Sequence, residues 1–459
     1  MMNRSRWGGS FHLFASVFLL CCRALVADDV NPSFWVWHRG NPLTDAERAT
    51  LPAQTRLYWQ AGELENSGDT WRWTLRYPSV SCPSRMTVIP VVRLITTQKA
   101  PFSDSSIAAL ISALSTTGMQ VPELQIDYDC PDRLLAAYAN ALGRIRNSGR
   151  SIGATALAGW THNAAWPALQ SSVDDLVPMF YDLEADPPAQ PLPLLDEAKL
   201  KGELAEWDRC KIPWRAGLPS FARVTVYNDA GTSLGHTRDW DWDGLCFNTA
   251  LETAGALRLG VTPLRAVRDC LIGETPIVEG RAVAVRWPDL ATLRTAVSDV
   301  SRSNADGVVF FRLPDSTDPS GWSLPQLTHL NATSHPLLRQ TAPGQLALAN
   351  DSDGDLPPRL SGTAPLDRGY ALEIDAPAPI FREAVEGDFW RVTGHAHPDV
   401  QAVPVPVSLA TRLTFWFSRL RARQALHIGL IQLAPGADFG QLRYRILGAP
   451  GGTEWRKID

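Results

Sequence analysis

The strongest constraint in this chain is an alternation. Short apolar runs and helical stretches follow one another through the first two thirds of the sequence. Strand candidates lie at residues 34–37 (FWVW), 56–60 (RLYWQ), 87–94 (TVIPVVRL), 124–129 (LQIDYD), 152–157 (IGATAL), 175–181 (DLVPMFY), 214–219 (WRAGLP) and 307–313 (GVVFFRL). Between them, Thr44-x-x-Glu47 reads as a capping box. Ile107, Leu110, Ile111 and Leu114 fall at helical spacing, as do Leu134, Tyr138, Leu142 and Ile145, and Leu290, Leu293 and Val297 after Pro288. Such spacing belongs to helices with one buried face.

Strand, helix, strand in repetition predicts an α/β protein with a mostly parallel sheet. Eight such units are the number that closes a (β/α)8 TIM-type barrel. The interval between the seventh and eighth candidates is too long for one helix. It holds strand-like residues 224–227 and 282–287 and a loop at 239–244, so it reads as an insertion before the last strand. A doubly wound open sheet is the competing architecture, but no G-x-G-x-x-G follows the first strand.

The barrel is assigned to residues 31–335. Residues 336–369 are rich in Pro, Gly, Asp and Ser and read as a linker. Alternating segments at 370–374, 389–393, 412–417, 427–433 and 442–446 then predict a small antiparallel, β-sandwich-like module over 370–459.

Composition narrows the function. Of 459 residues, 45% are hydrophobic and 20% charged, too apolar for a disordered chain. A net charge of −5 with no basic stripe argues against nucleic acid as a partner. Arg4 and Arg6, the apolar run 11–22 and Ala24-Leu25-Val26-Ala27 read as an export signal over residues 1–27. That run is shorter than the roughly 20 residues a bilayer span needs, and no later run is long enough. The expected location is therefore secreted or periplasmic, with no membrane span in the mature chain.

Beyond the signal lie Cys82, Cys130, Cys210, Cys246 and Cys270. Export predicts one or two disulfides, with at least one thiol left over. No C-x-x-C pair exists, so a thiolate zinc site is not expected, and no cofactor is assigned. The sequence does not set an oligomeric state.

The chemistry concentrates in Gln125-Ile126-Asp127-Tyr128-Asp129-Cys130-Pro131. Strand side chains alternate, so Gln125, Asp127 and Asp129 share one face and Leu124, Ile126 and Tyr128 the other. The polar set should point into the barrel, with Asp129 at the C-terminal mouth where barrel active sites lie. Two carboxylates at close range push one pKa upward. The sixth candidate ends in Tyr181-Asp182 and faces the same mouth. Paired carboxylates across a cleft suit glycosidic cleavage.

Asp127, Asp129, Tyr181 and Asp182 are thus the candidate catalytic residues. Arg39, Arg93, Arg223 and Arg312 fall near strand ends, where they could neutralise the aspartates or grip an acidic sugar. The chain has 17 Trp. Trp37, Trp160, Trp240 and Trp242, with Arg312, are candidate substrate contacts, because an indole face packs well on a pyranose; filling of the gap between barrel and helices is the competing use. Gly231-Thr232-Ser233-Leu234-Gly235 fits a nucleophile-elbow pattern but follows a hairpin-like turn. Residues 351–355 (DSDGD) could wrap calcium, and His395-Ala396-His397 could hold a metal; both are more often solvated.

The order Trp35-Val36-Trp37, Gln125 to Pro131, Met179-Phe180-Tyr181-Asp182, Gly217-Leu218-Pro219 and Phe311-Arg312-Leu313-Pro314 resembles an uncharacterised bacterial exported family, domain-of-unknown-function family 3142, over roughly residues 33–325. Behind it is a distant likeness to family 18 glycoside hydrolases, the chitinase-like barrels. These carry D-x-x-D-x-D-x-E on the fourth strand, M-x-Y-D on the sixth and G-x-P on the seventh. Asp127 and Asp129 match the last two aspartates. Met179, Tyr181 and Asp182 match the sixth-strand motif, and Gly217 and Pro219 the seventh. The position of the chitinase acid is Pro131 here. The resemblance therefore implies either that Asp129 has taken over proton donation, or that the barrel binds a poly- or oligosaccharide without cleaving it. By analogy with α-galactosidase-like barrels, a fourth-strand aspartate could instead be a nucleophile.

Overall fold

The structure is a computed structural model. It describes residues 31–458 apart from 79–84, 97, 116–121, 188–189, 256–258, 315–320, 343, 363–366 and 397–402. The expected export signal and Cys82 lie outside the described residues, as does His397 of the weak histidine motif.

Eight parallel strands close a barrel: β1 (Ser33–Val36), β2 (Arg56–Ser67), β3 (Thr87–Thr96), β4 (Glu123–Asp127), β5 (Ser151–Leu157), β6 (Asp175–Met179), β7 (Ala216–Pro219) and β8 (Val308–Phe311). Sequential neighbours pair in parallel, and β8 pairs with β1 to complete the ring. The far end of β2 runs on into an antiparallel arm with the strand Thr70–Arg76.

Strands covered on both faces read as continuous apolar runs, and all four residues of β1 and of β7 are buried. One set faces the barrel axis: Trp35, Tyr58, Ile89, Val91, Val177 and Val309. The other set, including Leu57, Val92, Leu124 and Ile126, packs under Ile107, Leu110, Tyr138, Leu142, Leu293 and Val297 of the surrounding helices. Gly217 makes room for the axial Trp35. A Cβ there would come within 2.8 Å of both the Trp35 ring and the Pro178 carbonyl.

Between β7 and β8 the insertion forms a five-stranded antiparallel sheet, built from Arg223–Tyr227, Ser233–His236, Leu251–Thr253, Val261–Ala266 and Ala282–Arg286. Its core includes Val224, Trp240, Trp242, Leu245 and Val283. The helix Leu290–Ser301, capped by Asp289, leads back to β8. Asn228 and Thr232 close the turn before Ser233, so Gly231 to Gly235 lies on a hairpin and makes no strand-to-helix elbow.

The C-terminal part is antiparallel, with a six-stranded sheet and smaller ones around a core of Leu372, Ile374, Leu413, Phe415 and Phe417. Residues read from composition as linker contain a hairpin, Leu337–Ala342 with Gln345–Asn350. It pairs with Gln424–His427 and sends Leu338, Leu346 and Leu348 into the C-terminal core. This part also touches the insertion. The Asp243 carboxylate accepts from the Ser418 amide at 3.0 Å, and buried Arg368 donates to the Leu251 carbonyl at 2.9 Å. The carboxylates of 351–355 are used internally: Asp351 pairs with Arg339, Asp353 with Arg423, and Asp355 accepts from the Ser323 and Ala422 amides.

Cys130, Cys210, Cys246 and Cys270 are all free, against the expected disulfides. Cys130 is sealed in the layer between barrel and helices, away from the mouth, and burial pushes its thiol up to about 12.

Candidate active site

The β4 segment alternates as its pattern dictates. Leu124, Ile126 and Tyr128 join the core under the helices, while Gln125 and Asp127 turn inward. Gln125 is buried, and its side-chain oxygen accepts the indole N–H of Trp35 at 2.8 Å. One turn of the pleat higher, Asp127 accepts the Thr155 hydroxyl of β5 at 2.8 Å, and the Arg93 guanidinium of β3 stands 3.9 Å away. The Asp127 side chain is only 15% exposed. Burial and then the charge of Asp129 push its pKa up to about 6, against the opposing pull of Thr155 and Arg93. Asp129, two residues on, is exposed at the mouth.

From β6, Tyr181 reaches the same space. Burial holds its hydroxyl well above the ordinary tyrosine range, and the charges of Asp127, Asp129 and Asp182 push the same way. The phenol is therefore a permanent hydrogen-bond donor beside three carboxylates. Asp182 follows in a left-handed conformation, φ 49°. Its amide donates to the Leu194 carbonyl at 3.1 Å. Its carboxylate is held by Arg223, with Arg286 3.8 Å away. Both arginines come from the insertion sheet. Arg286 also reaches Asp186 at 3.3 Å and donates to the Thr225 hydroxyl at 2.8 Å.

These groups line one open pocket of about 790 Å³, within the range of small-molecule sites. Trp37, Tyr181, Phe221 and Phe311 form its aromatic wall, with the sealed Trp35 packed behind them. Phe311 lies 5.9 Å from Trp37 and 6.0 Å from Tyr181, ring centre to ring centre. The pocket continues outward between the turn Ala158–His162 and the helix Glu197–Trp207, where it meets His162, Glu184, Lys199, Glu203 and Glu206.

Of the residues singled out from sequence, Asp127, Asp129, Tyr181, Asp182 and Trp37 are brought together here. Trp160, Trp240 and Trp242 are not. Their exposures are 1%, 8% and 2%, which leaves no indole face for a ligand. Trp160 packs edge-on to Tyr138, and Trp240 and Trp242 pack on each other inside the insertion. Arg312 lies in a separate small recess with Ser220, Trp322 and Arg421. Sequence reasoning missed His162, Glu203 and Glu206. The one available signal was a pair of carboxylates three apart, beside the apolar stripe Leu200, Leu204 and Trp207. Among the described residues no cluster of His, Cys, Asp or Glu could hold a metal ion.

Residues 84–234 match the family model described as Domain of unknown function (DUF3142). That match spans β3 to the first hairpin of the insertion, and so contains Asp127, Asp129, Tyr181, Asp182 and Arg223. No curated protein shows significant similarity to the chain. Solved structures similar to it include a chitinase from Chromobacterium violaceum, at 12% identity and TM-score 0.42, covering 62% of this chain and 96% of that one. The Bacillus cereus spore cortex-lytic enzyme SleL matches at 13% and 0.42, covering 66% and 74%. A family 18 N-acetylglucosaminidase from Paenibacillus barengoltzii matches at 14% and 0.40, covering 66% and 99%. At such identities and scores the likeness bears on neither substrate nor reaction.

Proposed function

We propose that this chain is an exported glycoside-hydrolase-like protein that acts on a poly- or oligosaccharide at the mouth of its DUF3142 barrel. The observation that carries the reading is the pair on β4. A buried Asp127, raised to about 6, lies beneath an exposed Asp129 in an aromatic-walled pocket. Burial and the neighbouring charge of Asp129 keep a proton on Asp127 up to about pH 6. Asp129 delivers that proton to the glycosidic oxygen as the C–O bond breaks. The charge left on the pair then supports the cationic sugar carbon until water adds and gives its proton back to the pair. Tyr181 donates its hydroxyl hydrogen toward the reacting centre, and Trp37 offers a ring face to the sugar. Asp182 is tied to Arg223 and Arg286, so it fixes the wall and leaves proton transfer to the β4 pair.

The same two facts that limit Asp182 and place Pro131 after the pair favour a second reading, a barrel that binds glycan without cleaving it. Reducing-end release from a panel of cell-wall and polysaccharide fragments separates the two, since binding without release selects the second. In the hydrolase, Asp129→Asn abolishes release with an unchanged unfolding midpoint. Full activity in that variant would overturn the assignment. Export rests on the sequence of residues 1–27 and is tested by locating the protein after cell fractionation. No helix among the described residues is long and apolar enough to cross a membrane.

A further inference from the structure

The barrel mouth carries a row of charge that the β4 chemistry leaves unused. Glu63, Arg93 and Asp127 are register partners on β2, β3 and β4, so negative, positive and negative groups stand side by side at one level. A bulge puts Glu63 there. Early in β2, Tyr58 faces the barrel axis while Leu57 and Trp59 pack under the helices. Ala61 then has no partner on β3, because Gln60 lies opposite Val91 and Gly62 opposite Val92. One extra residue exchanges the two faces of a strand. Beyond it Leu64 packs under the helices and Glu63 turns inward beside Arg93.

The Arg93 guanidinium lies midway between the two carboxylates. It is 3.8 Å from Glu63 and 3.9 Å from Asp127, and it makes no hydrogen bond among the described residues. Its side chain is 40% exposed on the pocket wall, against 17% for Glu63 and 15% for Asp127. Each carboxylate already has a neutral donor: Gln60 Nε2 at 3.3 Å for Glu63, and the Thr155 hydroxyl at 2.8 Å for Asp127. Charge-assisted hydrogen bonds form at about 2.7–2.9 Å, so a shift of roughly 1 Å to either side makes one. While Asp127 holds a proton, Glu63 is the stronger attractor. Once the proton leaves, the charges of Asp127 and Asp129 together outweigh it.

We propose that Arg93 is a positioning residue, a movable countercharge that Glu63 holds while Asp127 is protonated and that Asp127 draws in when its proton departs. In turnover this role rests on the hydrolase reading above, where the proton goes to the glycosidic oxygen; in titration it goes to solvent. The other groups around Asp127 are Asp129 above it, Thr155 from β5, Tyr181 with the arginine-bound Asp182 beyond it, and Tyr138 from the helix layer behind. His38, just past β1, faces Glu63 and Arg93, and burial and then Arg312 hold it below the ordinary histidine range. Burial keeps both tyrosines protonated, so they carry no charge. Arg93 is the one cation within 4.0 Å of Asp127 among the described residues.

The test is a double-mutant cycle on the full chain, read by urea unfolding from about pH 4 to about pH 8. In each background, the stability difference between the chain and its Asp127→Asn counterpart grows with pH and levels off at the folded pKa of Asp127. In wild type that point lies near 6. Arg93→Met should raise it by about one unit, Arg93→Lys should leave it nearly in place, and Glu63→Gln should lower it by about one unit as Arg93 is released. In the Arg93→Met background, Glu63→Gln should lose most of its effect. An unmoved point in Arg93→Met would overturn the proposal. So would a Glu63→Gln shift that is undiminished without Arg93, because two fixed charges add independently. This readout needs no substrate. Where reducing ends are released, the alkaline limb of kcat should move with the same point at unchanged KM, and a limb that stays put in Arg93→Met would overturn the role in turnover. No release by wild type would overturn the hydrolase reading while the titration still decides the arginine.

Discussion

Asp127 should make the folded barrel less stable as pH rises, and replacing it with asparagine should reverse that. The folded carboxyl titrates near 6, against 3.8 for the free side chain. Between these values the native state binds the proton that the unfolded chain has released, so stability falls with rising pH. The penalty is absent well below 3.8 and complete above 6. A gap of roughly two units corresponds to about 3 kcal/mol at pH 8, about half of that at pH 5 and little at pH 4. Asparagine keeps an oxygen for the Thr155 hydroxyl, nearly the same volume, and no charge. Asp127→Asn should therefore gain most of that 3 kcal/mol at pH 8 and little at pH 4, while losing turnover. Strained or desolvated reactive groups commonly trade stability for activity in this way. Urea unfolding of wild type and variant side by side across that range measures the difference. A gain of the same size at pH 5 and pH 8, or a loss at pH 8, would refute the claim that Asp127 is the raised member of the pair.

Arg286 is 5% exposed and serves Asp182, Asp186 and Thr225 together. Arg286→Met should cost about 3–5 kcal/mol by leaving Asp186 without its cation, while Asp182 keeps Arg223, read from the urea midpoint. The tryptophans divide by position. Trp37→Ala should weaken oligosaccharide binding with a small change in midpoint, whereas Trp160→Ala should cost about 3–5 kcal/mol of stability through the cavity it leaves.

The barrel was legible because its signal is local. Leu124, Ile126 and Tyr128 against Gln125 and Asp127 is a period of two, and the strand obeys it. The stripe Ile107, Leu110, Leu114 is a period of 3.6, and all three residues are buried. The tryptophans were misjudged because strand-end position says nothing of direction. The turn Ala158–His162 folds back, so Trp160 points under the loop and the pocket wall is left to Gly159 and His162. The linker reading failed for a different reason. Pro, Gly and Asp dominate the count over the stretch, while Leu338, Leu346 and Leu348 carry the burial, and three residues do not move an average. The spacing of Glu203 and Glu206 marked one helix face, but which pocket that face borders depends on how the helix and the segment Ala158–His162 approach each other.

The fate of Asp182 says most about how this site is divided. Its partners Arg223 and Arg286 are contributed by the insertion, and Arg286 lies 100 residues from Asp186, which it also holds. The insertion sheet thus clamps the segment after β6, whose left-handed turn at Asp182 would otherwise be costly for a residue with a side chain. Fixing that segment fixes Tyr181 against Phe221 and Phe311, and so the aromatic wall. A carboxylate already compensated by two guanidiniums is a poor proton donor and a poor nucleophile. It is a good anchor. Asp129, exposed above Asp127, makes no such ion pair among the described residues. The sixth strand supplies the rigid wall and, in the proposed hydrolase, the end of the fourth supplies the reactive pair, so the insertion helps to build the site although none of its described carboxylates lines the pocket.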